Sequence, residues 1–433
     1  MKHFFIFILR AFLKLLARAT IARYKPAIIG ITGSVGKTST KEAIKSVVQH
    51  ERTVRATPKN FNNELGLPLT VLGSWSSTGG IFFWLKIFTV SIINLIVRNK
   101  SYPEVLVLEY GVDRPGDMSY LLSIARPHIG VFTAMGVIPV HIEFFANPEA
   151  IFREKLKIIS SLSATGFAIL NIDDEQVNRA CNETRAHILT FGFSEESSIR
   201  VINFSNRLDD DFCGASFKLV HGGSVTPLHI PRALGKSQGY AIAAAATIGL
   251  VFGMNLVSIS EALASYKPPN GRMRVISGIK DSILIDDTYN ASPTAVKEAV
   301  NSLKDLTVKH KIAVLGDMLE IGKYTLEAHE KIGKQVAKVV NILITVGIRG
   351  KFIAEAAIRA GMNKNSVHIF MNIHEATKFL QKKITKGDVI LVKGSQSVRM
   401  ERIIKEIMKE PQNAEQMLVR QSAYWLAHKG LYE

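Results

Sequence analysis

Cysteine is almost missing from this chain of 433 residues: only Cys181 and Cys213 occur, far apart. Two such thiols make neither a disulfide framework nor a CxxC metal site, which excludes a disulfide-stapled scaffold and suits a reducing cytosol. Acidic residues are also scarce, 37 Asp and Glu against 54 Lys and Arg, for a formal net charge of +17. A surface of that sign attracts polyanions: nucleic acid, anionic lipid or phosphorylated substrates. No nucleic-acid module accompanies the charge, so a role on DNA or RNA is set aside in favour of nucleotide substrates and an anionic membrane. Internal repeats and low-complexity segments are lacking too. What remains is a globular composition, 47% hydrophobic and 21% charged, on a chain long enough for two or three domains.

The most informative segment is residues 27–40, AIIGITGSVGKTST. The apolar run from Ala27 to Ile31 reads as a buried parallel strand, and a helical pattern runs from Thr40 to Val48. Between them lies Thr32-Gly33-Ser34-Val35-Gly36-Lys37-Thr38-Ser39. A strand, a glycine-rich turn, Lys-Thr and a helix form the phosphate-loop context. Gly33 and Gly36 let backbone N–H groups close around phosphate oxygens, and the helix N-terminus adds a favourable dipole. Lys37 then neutralises the terminal phosphates and the Thr38 hydroxyl is placed for Mg²⁺. The general G-x-x-x-x-G-K-[ST] form fails by one glycine, because Ile31 stands at its first position; the shorter G-x-x-G-K-T form is present.

Two greasy segments flank this loop. Residues 4–16 read FFIFILRAFLKLL. On a helix Arg10, Lys14 and Arg18 share one face, while Phe4, Phe5, Ile8, Phe12 and Leu15 fall mostly on the other. This is the pattern of a basic helix lying on an anionic membrane surface. A core or dimer helix, or a signal sequence or true span, are the alternatives. Arg10 interrupts the apolar run, and a loop that needs cytosolic ATP follows almost at once. Residues 81–97, IFFWLKIFTVSIINLIV, approach the roughly 20 residues that span a bilayer. Lys86, Ser91 and Asn94 break the run, and it separates motifs that must meet, so an insertion over 78–100, packed on the domain or dipped into the interface, is expected.

The loop resembles that of the Mur ligases, T-G-x-x-G-K-[ST], and the resemblance continues in order. Asn60-Phe61-Asn62-Asn63-Glu64-Leu65-Gly66-Leu67-Pro68 is similar to the family's Asn-rich stretch. Val105–Glu109 is a strand ending in a carboxylate, followed by Gly111 and Arg114-Pro115-Gly116-Asp117. His141 and Glu143 resemble the family's metal-site region, and Glu154-Lys155 the segment with the carbamylated lysine. Gly271-Arg272-Met273 resembles the opening of the family's C-terminal domain. Ile285-Asp286-Asp287-Thr288-Tyr289-Asn290-Ala291-Ser292-Pro293 is similar to the D-D-x-Y-N-x-x-P motif of members that add D-alanyl-D-alanine. Leu315–Glu320 with His329, and Val392–Glu401, extend the same likeness. Short apolar strands at 282–286, 311–316 and 388–392 alternate with helices at 294–304, 329–340, 351–360 and 374–382, which predicts a parallel α/β arrangement.

The resemblance implies an α/β fold with three parts. Residues 1–26 form the basic helix, 27–268 a P-loop ATPase-type ATP-binding domain with a mostly parallel sheet, and 269–433 a Rossmann-like C-terminal domain. It implies a cytoplasmic ATP-dependent amide ligase of peptidoglycan synthesis, joining D-Ala-D-Ala to a nucleotide-linked peptide through an acyl phosphate; the basic helix, not the resemblance, adds a peripheral place on the inner membrane face. Gly33 to Ser39, with Ser34 and Val35, would bind ATP together with Arg272, Asp287, Tyr289 and Asn290. Thr38 and Glu109 would hold one Mg²⁺; Glu109, His141 and carbamylated Lys155 would hold the other. Asn62, Asn63 and Arg399 would meet substrate.

The likeness has departures. Only 29 residues precede Gly30, leaving no room for the family's N-terminal substrate domain; a lipid-linked precursor, or a partner supplying that domain's function, would follow. Ala134 stands where the family has asparagine, and Lys236-Ser237-Gln238, with Ala241, replaces Arg-His-Asn and a later Asn. Two further readings stay open: a ligase for a lipid-linked or poly-amino-acid acceptor, and a membrane-tethered ATP-binding regulator without ligase activity.

Overall fold

In the computed structural model of the chain, every residue is described except Met1, 59–60, 76–78 and Asp210, together with the side chains of residues 2–5. Asn60, Thr78 and the Phe4 and Phe5 side chains therefore lie outside the described residues.

Two sheets organise the molecule. The first follows from a series of continuous apolar runs that bury both faces of their strands. Its strands are β1 (Ala27–Thr32), β2 (Val54–Ala56), β3 (Val105–Glu109), β4 (Ile129–Phe132), β5 (Phe167–Asn171), β6 (His187–Gly192), β7 (Ile199–Leu208), β8 (Cys213–His221) and β9 (Ser224–Pro231). They lie in the order β2-β3-β1-β4-β5-β6-β7-β8-β9. Pairing is parallel from β2 through β7 and antiparallel across β7, β8 and β9. β1 sits in the middle of the parallel part, with Ile31 opposite Glu109 of β3. That register brings the phosphate loop and the carboxylate to the same edge, the C-terminal ends of neighbouring strands, where ligands of parallel sheets bind. The last strand, β9, carries Pro227 and Pro231 on the sheet's outer edge.

The second sheet comprises β10 (Arg274–Ser277), β11 (Ile283–Asp286), β12 (Lys311–Gly316), β13 (Ile342–Val346), β14 (Val367–Phe370) and β15 (Val389–Lys393), in the order β10-β11-β15-β12-β13-β14. Only β10 runs antiparallel. Helices Pro293–Lys304, Gly350–Arg359 and Ile373–Lys383 fall within a residue of the expected spans. The helix expected at 329–340 instead runs Thr325–Val336. A short turn at Gly322–Tyr324 starts it one turn early, and a turn after Val336 stops it early.

Helices α1 (Lys2–Tyr24), α2 (Lys37–Val48), α3 (Gly66–Leu72), α4 (Ile81–Ile96), α5 (Asp117–Ile124) and α6 (Pro148–Ser160) belong to the first lobe. The expected insertion is a helix packed on that lobe. Leu9, Leu13 and Leu16 of α1 form a small core with Leu69 and Leu72 of α3 and Ile87 of α4. Of the three cations expected on one outer face of α1, Arg10 pairs with Glu64 and Lys14 lies 5.3 Å from the Tyr120 ring centroid, so both turn inward; Arg18 alone is exposed. Among the described residues no helix is long and apolar enough to cross a membrane.

Candidate functional site

The loop after β1 is shaped by its glycines. Gly33 has φ +140° and Gly36 φ +90°. A Cβ on Gly33 would stand 2.1 Å from Thr133 Oγ1, so only glycine fits there. Thr133 Oγ1 donates to the carbonyls of Thr32 (3.1 Å) and Val35 (2.7 Å), fixing the loop from β4. Ala134, at the family's asparagine position, accepts the N–H groups of Ser34 (2.6 Å) and Val35 (3.3 Å) through its carbonyl. Helix α2 begins at Lys37 with no side chain capping its first turn. Its leading N–H groups and dipole are therefore free to face an anion.

Lys37 Nζ donates to the Gly33 carbonyl at 2.9 Å. Loss of water lowers its pKa, an effect that Glu109 opposes and Arg272 reinforces. Lys155, on α6, is buried and points at the same carbonyl, 3.3 Å away. Burial, with the Lys37 charge beside it, brings its pKa down to about 7. Near neutral pH a large share of this amine is thus unprotonated, the form that can take up CO₂ as a carbamate.

Glu109 ends β3, 4% exposed. One carboxylate oxygen accepts from Asn62 Nδ2 at 3.4 Å; the other, Oε2, is buried without a hydrogen-bond partner. A buried, half-satisfied carboxylate beside a lysine and an uncapped helix suits a divalent cation bound to an anion. Glu109 suits such a role, and Lys155 reaches the loop carbonyl that Lys37 also holds. His141 does not join them in this arrangement. Its Nδ1 lies 2.8 Å from Glu320 of the second lobe and its Nε2 3.3 Å from Asp113, so both ring nitrogens face other carboxylates. Among the described residues no group of three or more His, Cys, Asp or Glu is arranged to hold a metal; a carbamate on Lys155 lies outside such a count.

A cleft of about 230 Å³ opens between the lobes. The first lobe contributes Val35, Gly36 and Ser39 to it, and the second Arg272, Asp287 and Lys393. Lys393 is buried and pairs with Asp287 at 2.6 Å, while Met273 N–H donates to the same carboxylate at 3.2 Å. Arg272 stacks on Tyr289, its guanidinium carbon 4.0 Å from the ring centroid, and its Nε is buried without a partner. Asn290 Oδ1 accepts the N–H groups of Ala291 and Gln396, which ties the motif to the loop after β15. Gln238, at the family's changed position, bonds Tyr266 and the Arg272 carbonyl, steadying the entry to the second lobe.

Three cleft residues are not among the expected site residues, although Lys393 lies in the Val392–Glu401 motif. Asp174 accepts N–H from Met135 and Gly136, Asp173 accepts the Tyr240 hydroxyl, and Lys393 neutralises Asp287. The first two follow the end of β5, much as Glu109 ends β3; that position was the available signal. A second, polar cavity of about 500 Å³ is lined by Asn62, Asn63, Gly111, Asp113, Arg114 and, from α1, Arg10. It borders Glu109 through Asn62.

Arg399 requires a correction. It was expected at the incoming substrate's carboxylate, but it is 2% exposed. Its Nε pairs with Glu401 at 2.6 Å, and Nη1 donates to the carbonyls of Trp425 (3.0 Å) and His428 (2.7 Å). A guanidinium so enclosed anchors the C-terminal segment. Ser292 caps the helix after it, accepting from Ala295 N–H at 3.2 Å.

Comparisons with known proteins agree with this fold. Residues 31–77 and 90–249 match the Mur ligase middle domain, and 271–396 match the Mur ligase glutamate ligase domain. The chain is 29% identical over 401 residues to the UDP-N-acetylmuramoyl-tripeptide--D-alanyl-D-alanine ligase of Bacillus subtilis strain 168, covering 92% of this chain and 79% of that protein. It is 30% identical to the protein of the same name from Mycobacterium leprae strain TN, covering 86% and 71%. The solved MurF ligase of Thermotoga maritima in complex with ADP superimposes with a TM-score of 0.75 at 26% identity, over 93% of this chain and 84% of that one.

Proposed function

The chain belongs to the Mur ligase family, and on that premise we propose that it is an ATP-dependent ligase that joins D-alanyl-D-alanine to a muramoyl-tripeptide precursor in peptidoglycan synthesis. The carrying observation is the shared cleft, walled by the Lys37 loop on one side and by Arg272, Asp287 and Lys393 on the other. Residues 27–268 and 269–433 are read as the two working domains, with 1–26 and 78–100 as additions to the first.

The peptide carboxylate attacks the γ-phosphorus of ATP, the bond to ADP breaks, and an acyl phosphate forms. The amine of the dipeptide then attacks the acyl carbon, phosphate leaves with the bonding pair, and the amine loses its proton as the amide forms. Both steps gather negative charge on oxygen, so positioning and cationic stabilisation carry the catalysis. Lys37 and the first turn of α2 face the triphosphate. The Arg272–Tyr289 stack and the Lys393–Asp287 pair offer a base and ribose platform. Mg²⁺, held by Thr38, Glu109 and the Lys155 carbamate, would neutralise phosphate oxygens. Asn62 and Asn63, at the mouth of the second cavity, would orient the acceptor carboxylate.

Phosphate release from purified protein tests this, with ATP, Mg²⁺, muramoyl-tripeptide nucleotide and D-Ala-D-Ala each omitted in turn. Release should need all four. ATP binding without acceptor-dependent release would favour the regulator reading. A second acceptor class has one observation in its favour: Arg10, from the greasy helix, lines the second cavity. A lipid-linked peptide would then outcompete the nucleotide-linked one, which product analysis with both acceptors would separate.

A further inference from the structure

Two helices that this chemistry does not use stand side by side on the first lobe. Phe12 of α1 meets Phe88 of α4 edge-on, with ring centroids 4.8 Å apart. Further along, the Tyr24 hydroxyl donates to the Asn94 carbonyl at 2.6 Å and Arg23 Nη2 to the Ile96 carbonyl at 3.2 Å. The inner sides of both helices share one small core. They form a single layer, and that layer faces outward with the wrong kind of side chain for water.

Along α4, Phe82, Leu85, Ile92 and Ile96 fall on one helical stripe and are 82%, 54%, 43% and 73% exposed. Phe7 and Leu15 of α1 add to it, 70% and 62% exposed. Exposed apolar side chains gathered in this way mark an interaction surface. The segments that carry it have one sign of charge. No Asp or Glu occurs from Met1 to Lys41, or between Glu64 and Glu104. Arg18, Arg23, Lys86, Arg98 and Lys100 are all exposed.

We propose that the α1/α4 layer docks on the surface of an anionic phospholipid bilayer. An apolar stripe edged by Lys and Arg is what an interfacial helix presents to acyl chains and anionic headgroups. Neither helix is long and apolar enough to cross, so both lie along the boundary. A second copy of the chain is the poorer occupant, because a symmetric contact would set these cations against their own kind.

The test is co-sedimentation of the full chain with vesicles of phosphatidylcholine alone and of phosphatidylcholine mixed with phosphatidylglycerol, without ATP. Binding should favour the mixed vesicles and weaken with salt. Arg18→Glu and Lys86→Glu should each weaken it by about fivefold or more. Phe82→Asp combined with Ile92→Asp should abolish it while leaving circular dichroism and ADP binding unchanged, since both side chains are exposed. Absence of vesicle binding by the parent protein overturns the proposal, as does binding that survives the double substitution. A concentration-dependent dimer that the double substitution dissolves, without vesicle binding, assigns the face to a second copy and also overturns it. Phosphate release from soluble substrates is measured without vesicles, so either reading can fail alone.

Discussion

The phosphate loop and the α1/α4 layer break the same rule in opposite directions. Around the loop, charged groups are taken out of water: Lys155 is 1% exposed, Glu109 4%, and Lys37 is desolvated enough to lower its pKa. On the layer, phenylalanine and isoleucine are left in water. Each arrangement costs stability by itself. The loop offsets its cost partly from within, through Thr133, the Gly33 carbonyl and Asn62; the layer has a core on one side and, among the described residues, exposed apolar side chains on the other. Buried charge surrounded by fixed partners belongs to a site that acts on a small anion. Exposed apolar area with a cationic rim belongs to a site completed by something larger.

Substitutions can sharpen this contrast. The largest effect should come from Lys37→Ala, which removes the loop's cation and should cut phosphate release by about a thousandfold. Because the variant also deletes a desolvated charge, its thermal midpoint should hold or rise; a fall alongside lost activity would make Lys37 a structural residue. Next come two neighbours on α1. Leu13 is fully buried and Leu15 is 62% exposed. Leu13→Ala should cost about 2–4 kcal/mol in urea unfolding and Leu15→Ala less than about 0.5 kcal/mol. Equal losses would mean that the outward face is covered within the protein itself.

A further effect is set by pH. The unfolded chain keeps the Lys155 proton up to about 10.5, whereas the folded chain releases it near 7. Between those values the unfolded state binds more protons, so this group makes stability climb as pH rises. Lys155→Met should remove its share of that climb, read as a flatter dependence of the urea midpoint on pH. A small effect is also expected of His141→Ala, at most about 1 kcal/mol, because the Asp113 and Glu320 carboxylates that it bridges are solvent-exposed.

Much of the fold could be read from the residues. The runs at 27–31, 105–109, 311–316 and 388–392 are continuous and apolar because their strands are buried on both faces, and each became a strand. The antiparallel extension β7–β9 was not anticipated. Its strands are half-exposed and follow a parallel series, so no apolar run announces them. Helical periodicity grouped Arg10 with Lys14 and Arg18 but could not say which way the group faces; a partner distant in sequence, Glu64, decided it. The same limit hid the Lys393–Asp287 pair and the enclosure of Arg399. Motifs mark which residues matter, whereas pairings across a hundred residues are fixed only when the chain is folded.

Strand β9 bears on how copies of the molecule can meet. Pro227 and Pro231 offer no N–H to a neighbour, and the opposite border, β2, is a template only three residues long. Both rims of the nine-stranded sheet are thereby poor sites for adding a foreign strand. The molecule can crowd at high local density, as it would when gathered in two dimensions, without its main sheet polymerising.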